Sequence, residues 1–305
     1  MKAMILAAGL GTRLRPLTND IPKPMVPVLG IPNIERIVLH LREQGITDFA
    51  VNLHYCPEPL RAYMGDGSRL GVHIEFFYEP EILGTGGGIR NMLSHMGTEP
   101  CIVVNGDVLF MPRIEPLVAA HQRSGALASM VVRKSSDAEA LGAVGLDADG
   151  RVNRLVWAGD QQNTNVYMFT GMHIVEPTLV ERLPENGCIV RQCYIPMVEH
   201  DDALFGIVEN TFFCDLGTPS DYLEAHLQIA RGEVSLPGFV PQKDGNVISP
   251  STQIAESAIV ENSVIDDHVR VEKNIRVKDS VVMAGAVVTD NVTRKIVLSD
   301  GTEMI

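Results

Sequence analysis

Over the first three quarters of the chain, short apolar runs alternate with stretches whose apolar residues recur every three or four positions. Met4–Ala8 is the first such run and predicts a buried parallel strand. Pro32–Gln44 carries Ile34, Ile37, Val38 and Leu41 on one helical stripe, which Gly45 stops. Ile46–Leu53 predicts a second strand, Pro57–Met64 a short helix and Val72–Tyr78 a third strand. Glu79–Gly88 is glycine-rich and reads as a loop. A helical pattern then runs to Met96, and Cys101–Val104 is another buried strand. Gly125–Asp147 supplies further strand candidates, and Arg151–Val156 returns from a hairpin turn at Asp147–Gly150. Tyr167–Val175, Ala203–Val208 and the run ending at Asp215 read as strands. Pro177–Leu183, Ile189–His200 and the stretch from Pro219 to about Arg231 read as helices. Strands alternating with helices imply an α/β domain over residues 1–231, with a mixed, mainly parallel sheet. Ligands of such sheets bind beyond the carboxyl ends of the strands. Gly9–Arg13, Glu79–Gly88 and Asp107 all sit at strand ends.

The pattern then changes. Residues 232–246 contain Pro237, Gly238 and Pro241 and read as a linker. From 247 to 305 the period is six. Val247, Gln253, Ile259, Ile265, Val271, Val277 and Met283 are spaced in sixes, with Gln253 the polar exception. Four residues after each stand Ser251, Ser257, Ser263, Val269, Ile275, Val281 and Val287. This pattern resembles the hexapeptide repeat of left-handed parallel β-helices, in which each hexad forms one face of a triangular coil. The alternative is a run of ordinary strands in accidental phase. Seven hexads make little more than two coils, which bury too little unaided. The segment is therefore expected to pack on the first domain or on a copy of itself, making the protein a homo-oligomer.

Composition narrows the function. Of 305 residues, 45% are hydrophobic and 21% charged, as in an ordinary globular protein. The net charge of −13, with no Lys/Arg cluster, argues against a nucleic-acid partner. Five cysteines form no C-x-x-C pair and read as free thiols of a reducing compartment. No apolar run approaches membrane-spanning length, and the first is shorter than a signal peptide needs. The expectation is a cytoplasmic protein with no membrane partner.

The chemistry is concentrated in Ala3–Pro24. The first strand breaks into Gly9-Leu10-Gly11-Thr12-Arg13, and Lys23 follows between two prolines. A glycine loop after a strand exposes backbone N–H groups that attract phosphate oxygens. A dinucleotide fingerprint would need a third glycine where Leu14 stands, and a Walker loop is absent. The remaining readings are an ordinary strand-to-helix turn and a triphosphate loop with two cations. The joint pattern, G-x-G-T-R-L followed by K-P, resembles the signature of the sugar-1-phosphate nucleotidyltransferases.

That resemblance implies a Rossmann-like domain and a defined reaction. A sugar-1-phosphate oxygen attacks the α-phosphorus of a nucleoside triphosphate, giving a nucleotide-sugar and pyrophosphate. It implies Arg13, Lys23 and Asp107 as catalytic residues. Ala8, Gly9, Gly11, Thr12 and Arg13 would bind the triphosphate, and Glu79, Gly84, Thr85 and Gly106 the rest of the nucleotide. Gly142, Thr170 and Gly171 would face the sugar. Mg²⁺ takes one or two carboxylates together with phosphate oxygens and waters. Asp107 in N-G-D and Asp215 in D-L-G-T are the candidates, although Asp215 also reads as a helix cap, a role open to Thr218 or Ser220. Glycines at 84 and beyond would let a flat base lie on the backbone. A carboxylate at Glu79 suits guanine and uracil alike, or is a solvated loop residue.

On the sugar side the resemblance thins. Many members carry an E-K-P lysine, where this chain has Val156-Trp157-Ala158-Gly159-Asp160, and N-A-G, where it has Phe169-Thr170-Gly171. Arg154 is a candidate substitute, and Trp157 is either core or a sugar platform. The glycine run and the lost E-K-P look like N-acetylmuramate-1-phosphate uridylyltransferases, whereas the C-terminal coil looks like mannose-1-phosphate guanylyltransferases. GTP with mannose-1-phosphate or a related hexose-1-phosphate leads, and UTP with an amino-sugar-1-phosphate follows. A catalytically silent, nucleotide-sugar-sensing subunit stays open. So does an acyltransferase coil, although His268 is its only histidine.

Overall fold

A computed structural model describes residues 1–135, 143–156, 166–236, 239 and 244–305. The contacts within the chain divide it into two compact units. The first comprises residues 1–10, 21–24 and 37–213; the second comprises 11–20, 25–36 and 214–305.

The first unit is built on a nine-stranded sheet. Its strands are β1 (Lys2–Leu6), β2 (Asp48–Leu53), β3 (His73–Tyr78), β4 (Cys101–Asn105), β5 (Ala128–Lys134), β6 (Ala143–Leu146), β7 (Val152–Val156), β8 (Val166–Val175) and β9 (Leu204–Val208). The order is β7-β6-β8-β4-β1-β2-β3, with β5 also on β8 and β9 on β5. From β4 to β3 every pairing is parallel. β8 enters antiparallel and reverses the direction. Leu6, Asn52, Phe77 and Asn105 stand in register, so four strands end at one level. Their apolar runs explain the burial: Met4, Ala50, Val103, Met130 and Val132 form one core with Ile89, Met92 and Tyr194. Fully burying side chains of this size contributes about 1.5–3 kcal/mol each.

The helices of this unit include α1 (Asn33–Glu43, which begins in the second unit), α2 (Pro57–Met64), α3 (Gly84–Leu93) and α4 (Ile114–Ser124). α3 corrects the sequence reading, because the helix starts inside the glycine run rather than after it. Pro177–Arg182 forms a 3₁₀ helix, and Val190–Tyr194 a π-helical turn that continues as the helix Ile195–Glu199. Pro196, which has no N–H to donate, stands just after the π turn and accounts for the irregularity.

In the second unit, α5 (Pro219–Ala230) is capped by Thr218, whose Oγ1 accepts the Asp221 N–H at 3.2 Å. Asp215 is thus not the cap. The C-terminal segment stacks in three short sheets, parallel except that Glu303–Met304 joins the end of one of them antiparallel. One holds Val247–Ile248, Val264–Ile265, Val281–Val282 and Ile296–Val297; the others start at Gln253–Ile254 and Ile259–Glu261. These repeated strands fit a hexapeptide-repeat coil.

The phase differs from expectation. Val247 pairs with Val264, Gln253 with Arg270 and Val264 with Val281, so these coils take 17 residues, not 18, with one of three sides a residue short; Val277 pairs with Val292 and Val281 with Ile296, so the last coil takes 15. In the first coil the core-packed residues are therefore Ile248, Ile254 and Val260. Ile259, expected inside, is 51% exposed. In the second coil Ile265, Val271 and Val277 are buried as expected. The serines four residues on have a different task. Ser251, Ser257 and Ser263 accept the N–H groups of His268, Asn274 and Ser280, each 17 residues later. His268 and Asn274 have positive φ and turn the coil's corners. Their amides miss the strand ladders, so hydroxyls of the preceding coil take them.

Candidate active site

In the first unit a cleft of about 290 Å³ opens beyond the carboxyl ends of the parallel strands. Ala7–Gly9 form one wall, Ile82, Gly84 and Thr85 another; Asn52, Asn105, Lys23 and Asp107 complete it. Lys23 is 8% exposed, and its Nζ donates to Asp107 Oδ2 at 2.5 Å. Asp107 follows Gly106 because no other residue fits there. A Cβ at Gly106 would stand 2.9 Å from both the Leu6 carbonyl and Pro24 Cγ.

Behind the cleft runs a buried hydrogen-bond chain. The Ala7 N–H donates to Asn52 Oδ1 at 2.7 Å. Asn52 Nδ2 donates to Glu79 Oε1 at 2.7 Å, and the Leu83 N–H donates to Glu79 Oε2 at 3.0 Å. Glu79 is only 1% exposed. Gly88 leaves room for this pair, since a Cβ there would lie 2.7 Å from Asn52 Nδ2. The other glycines of the run also serve packing. Gly84 and Thr85 face the cleft, whereas a Cβ at Gly86 would meet Pro184 at 2.7 Å and one at Gly87 the Glu185 carbonyl at 2.4 Å. The expected broad glycine platform for a base is therefore the tightly packed start of α3. The segment 184–189 is fastened to it by Gly86 N–H to Gly187 O, Gly187 N–H to Leu83 O and Ile189 N–H to Thr85 Oγ1.

In the second unit Gly11 takes a left-handed conformation (φ 63°) and starts the 3₁₀ turn Thr12–Leu14. Thr18 Oγ1 donates to the Gly11 carbonyl at 2.7 Å and closes the loop. Arg13 and Asp215 are both exposed, with Nη2 4.0 Å from Oδ2. Gly217 makes space for that pair: a Cβ there would stand 2.9 Å from both Arg13 Nη2 and Asp215 Oδ1.

Of the sequence candidates, Ala8, Gly9, Lys23, Gly84, Thr85 and Asp107 line one cleft, with Gly106 and Glu79 behind it. Gly11, Thr12, Arg13 and Asp215 belong to the other unit. Thr170 is corrected. It is buried within the sheet, where its Oγ1 donates to the Val131 carbonyl at 2.8 Å. Gly171 (φ 79°) lies in an irregular part of β8, packed against the Asn105 side chain. Gly142 and Trp157 lie outside the described residues. Asn52 and Asn105 were missed. Their signal was a polar residue closing an apolar run, in A-V-N and V-V-N.

Among the described residues no group of three or more His, Cys, Asp and Glu could hold a metal. Asp107, on the cleft beside Lys23, is a carboxylate of the kind that Mg²⁺ arriving with a triphosphate takes, one or two from the protein being enough. No helix among these residues is long and apolar enough to cross a membrane.

A glycine loop and a Lys–Asp pair at the carboxyl ends of a parallel sheet define an α/β enzyme that handles phosphate esters. The chain belongs to the nucleotidyl transferase family, whose model matches residues 2–232. The mannose-1-phosphate guanylyltransferase of Mycobacterium tuberculosis is 29% identical over 291 residues, 88% of this chain and 81% of that protein. The UTP–glucose-1-phosphate uridylyltransferase of a Synechocystis species is 26% identical over 337 residues, 92% of this chain and 87% of its own length. HddC from Yersinia pseudotuberculosis, crystallised with GMP-PN, superposes with a TM-score of 0.64 at 27% identity, over 75% of this chain and 99% of that one.

Proposed function

We propose that this enzyme transfers a nucleotidyl group from a nucleoside triphosphate to a sugar-1-phosphate, with GTP and mannose-1-phosphate or a related hexose-1-phosphate as the favoured pair. The observation that carries it is the Lys23–Asp107 pair on the cleft at the strand ends. A phosphate oxygen of the sugar attacks the α-phosphorus; the new P–O bond forms as the bond to the bridging oxygen breaks, and pyrophosphate leaves. Both reactants are polyanions, so catalysis rests on charge neutralisation and in-line alignment. Lys23 supplies a fixed positive charge beside the phosphates. The Ala7–Gly9 backbone accommodates them where no side chain intrudes. Arg13 steadies the charge on the departing pyrophosphate. Asp107 would hold Mg²⁺, with Asp215 as its partner by the family resemblance; when bound, the ion supplies charge neutralisation and orients phosphate oxygens. UTP is the second reading, favoured by the Synechocystis relative's uridylyltransferase name. We also propose that the enzyme is cytoplasmic and forms a homo-oligomer through its C-terminal coil, which light scattering of the full chain tests.

The reaction is tested by pyrophosphate release with Mg²⁺, scanning the four common triphosphates and dTTP against a panel of sugar-1-phosphates. One productive pair is expected and names both substrates. Nucleotide binding with silence across the panel would favour a sensing subunit instead. Absence of both would overturn the phosphate-loop assignment.

A further inference from the structure

We propose that Asn52 is a positioning residue that couples the phosphate-binding loop to the opposite wall of the cleft, an inference that rests on nucleotide binding at this site. Asn52 is 3% exposed at the carboxyl end of β2, between β1 and β3. Its two amide atoms face opposite ways. Oδ1 accepts the Ala7 N–H, two residues before Gly9, at 2.7 Å. Nδ2 donates to Glu79 Oε1, and the other oxygen of Glu79 accepts the Leu83 N–H, one residue before Gly84. One side chain therefore ties the phosphate loop to the segment that opens α3. The tie is short and buried, with both amide atoms of Asn52 engaged, the situation in which removing one member leaves its partners unsatisfied. Neither isostere preserves it. Leucine supplies neither hydrogen bond. A carboxylate still accepts from Ala7 but opposes Glu79 Oε1 across a hydrogen-bond distance. Two carboxyl groups so placed share a proton. The protonated form donates to Glu79 and restores the chain; the doubly ionised form breaks it.

The full-length protein is titrated calorimetrically, with Mg²⁺, using GTP, UTP and inorganic tripolyphosphate as probes. Asn52→Leu is expected to weaken nucleotide and tripolyphosphate binding by about tenfold, the loss of one charge-assisted hydrogen bond. Asn52→Asp is expected to bind weakly at pH 8 and to regain most of the wild-type affinity near pH 5.5. His54, whose Nδ1 lies 2.8 Å from the Glu79 carbonyl, and Lys23 and Asp107, which line the cleft with Asn52, are present in both proteins, so the wild-type profile is the reference. Unchanged affinity in Asn52→Leu would overturn the proposal. So would an Asn52→Asp profile that merely parallels wild type, or a tripolyphosphate affinity indifferent to either change. A wild type that binds GTP or UTP but transfers nothing would sink the proposed reaction and leave this inference standing.

Discussion

Lys23 and Asp107 form the tightest charged contact of the cleft, and each charge is oriented by the other. Asp107→Asn should reduce turnover at least about 100-fold, the scale of losing a directed electrostatic contact, with little change in melting temperature. Near-normal turnover at saturating Mg²⁺ would remove Asp107 from the chemistry. Lys23→Met should raise the KM for the nucleotide and also destabilise the fold, since it leaves Asp107 without its ammonium partner; steady-state kinetics beside a urea titration separates the two effects. Burial pushes His226 down to about 4 and His173 down to about 3. Both ring nitrogens of His226 are engaged: Nε2 accepts the Leu29 N–H, and Nδ1 bonds the Tyr222 carbonyl. An unfolded histidine titrates near 6.5. Below that pH the unfolded chain takes up protons that the folded chain refuses, so stability is full above about 6.5 and falls as the pH drops toward 4. The urea midpoint should therefore decline between pH 6.5 and 5, less steeply than two histidines alone would give because burial raises Asp266 to about 6 and that carboxyl takes up a proton in the fold; a midpoint that rises would refute the histidine argument. At this scale the glycine loop and the Gly106-Asp107 step were readable as local motifs, whereas the pairing of Lys23 with Asp107, 84 residues apart, and of Asn52 with Ala7, 45 apart, had no local signal. Thr170 was placed on the sugar side only by the family resemblance, whereas in the fold its buried hydroxyl satisfies a neighbouring strand's carbonyl.

The elements were legible where period and punctuation agree. The α2 bounds, Pro57–Met64, follow from a proline start and a Gly65 stop. The start of α3 was hidden because consecutive glycines lower helix propensity. They are tolerated here because the segment 184–189 presses on Gly84, Gly86 and Gly87, and the Asn52–Glu79 pair on Gly88, too closely for any Cβ. Gly87→Ala should cost about 1–3 kcal/mol, opposite to the usual gain from replacing a helical glycine, because the Cβ drives into the Glu185 carbonyl. Thermal unfolding reads this directly, and a stabilised variant would refute the packing argument. In the coil, the sixfold period was legible but the shortened sides were not, since steps of 17 and then 15 residues leave no second period long enough to read. Ser263 shows what the small residues do there: fully buried, its Oγ donates to Glu261 O and accepts Ser280 N–H. Ser263→Ala should destabilise by about 1–3 kcal/mol, the cost of leaving buried backbone groups unpaired, measurable as a shift in denaturation midpoint.

At the scale of the molecule, the sequence suggested two segments in series, yet the second unit gathers residues 11–20 and 25–36 with 214–305. The reasons are specific. Tyr222 OH donates to the Pro27 carbonyl at 2.6 Å, and Leu29 is held by His226. A Cβ at Gly30 would stand 3.5 Å from Asp266 Oδ1 in the coil. Such long-range partners leave no local signature. Removing residues 232–305 should therefore do more than change assembly. We expect the melting temperature to fall by about 5 °C or more and turnover to fall with it, as checked by calorimetry and size-exclusion chromatography. A soluble truncated protein with full activity would show the coil to be an independent appendage.

The same interleaving sets a timetable for biosynthesis. The ribosome makes the Arg13 loop long before Asp215 and Gly217, the residues that lie beside it in the fold. When residue 213 has emerged, the sheet unit has received all of its strands, whereas Asp215 and Gly217 are still to come. A nascent chain at that stage thus holds the strands of the sheet while Arg13 still waits for the carboxylate beside it.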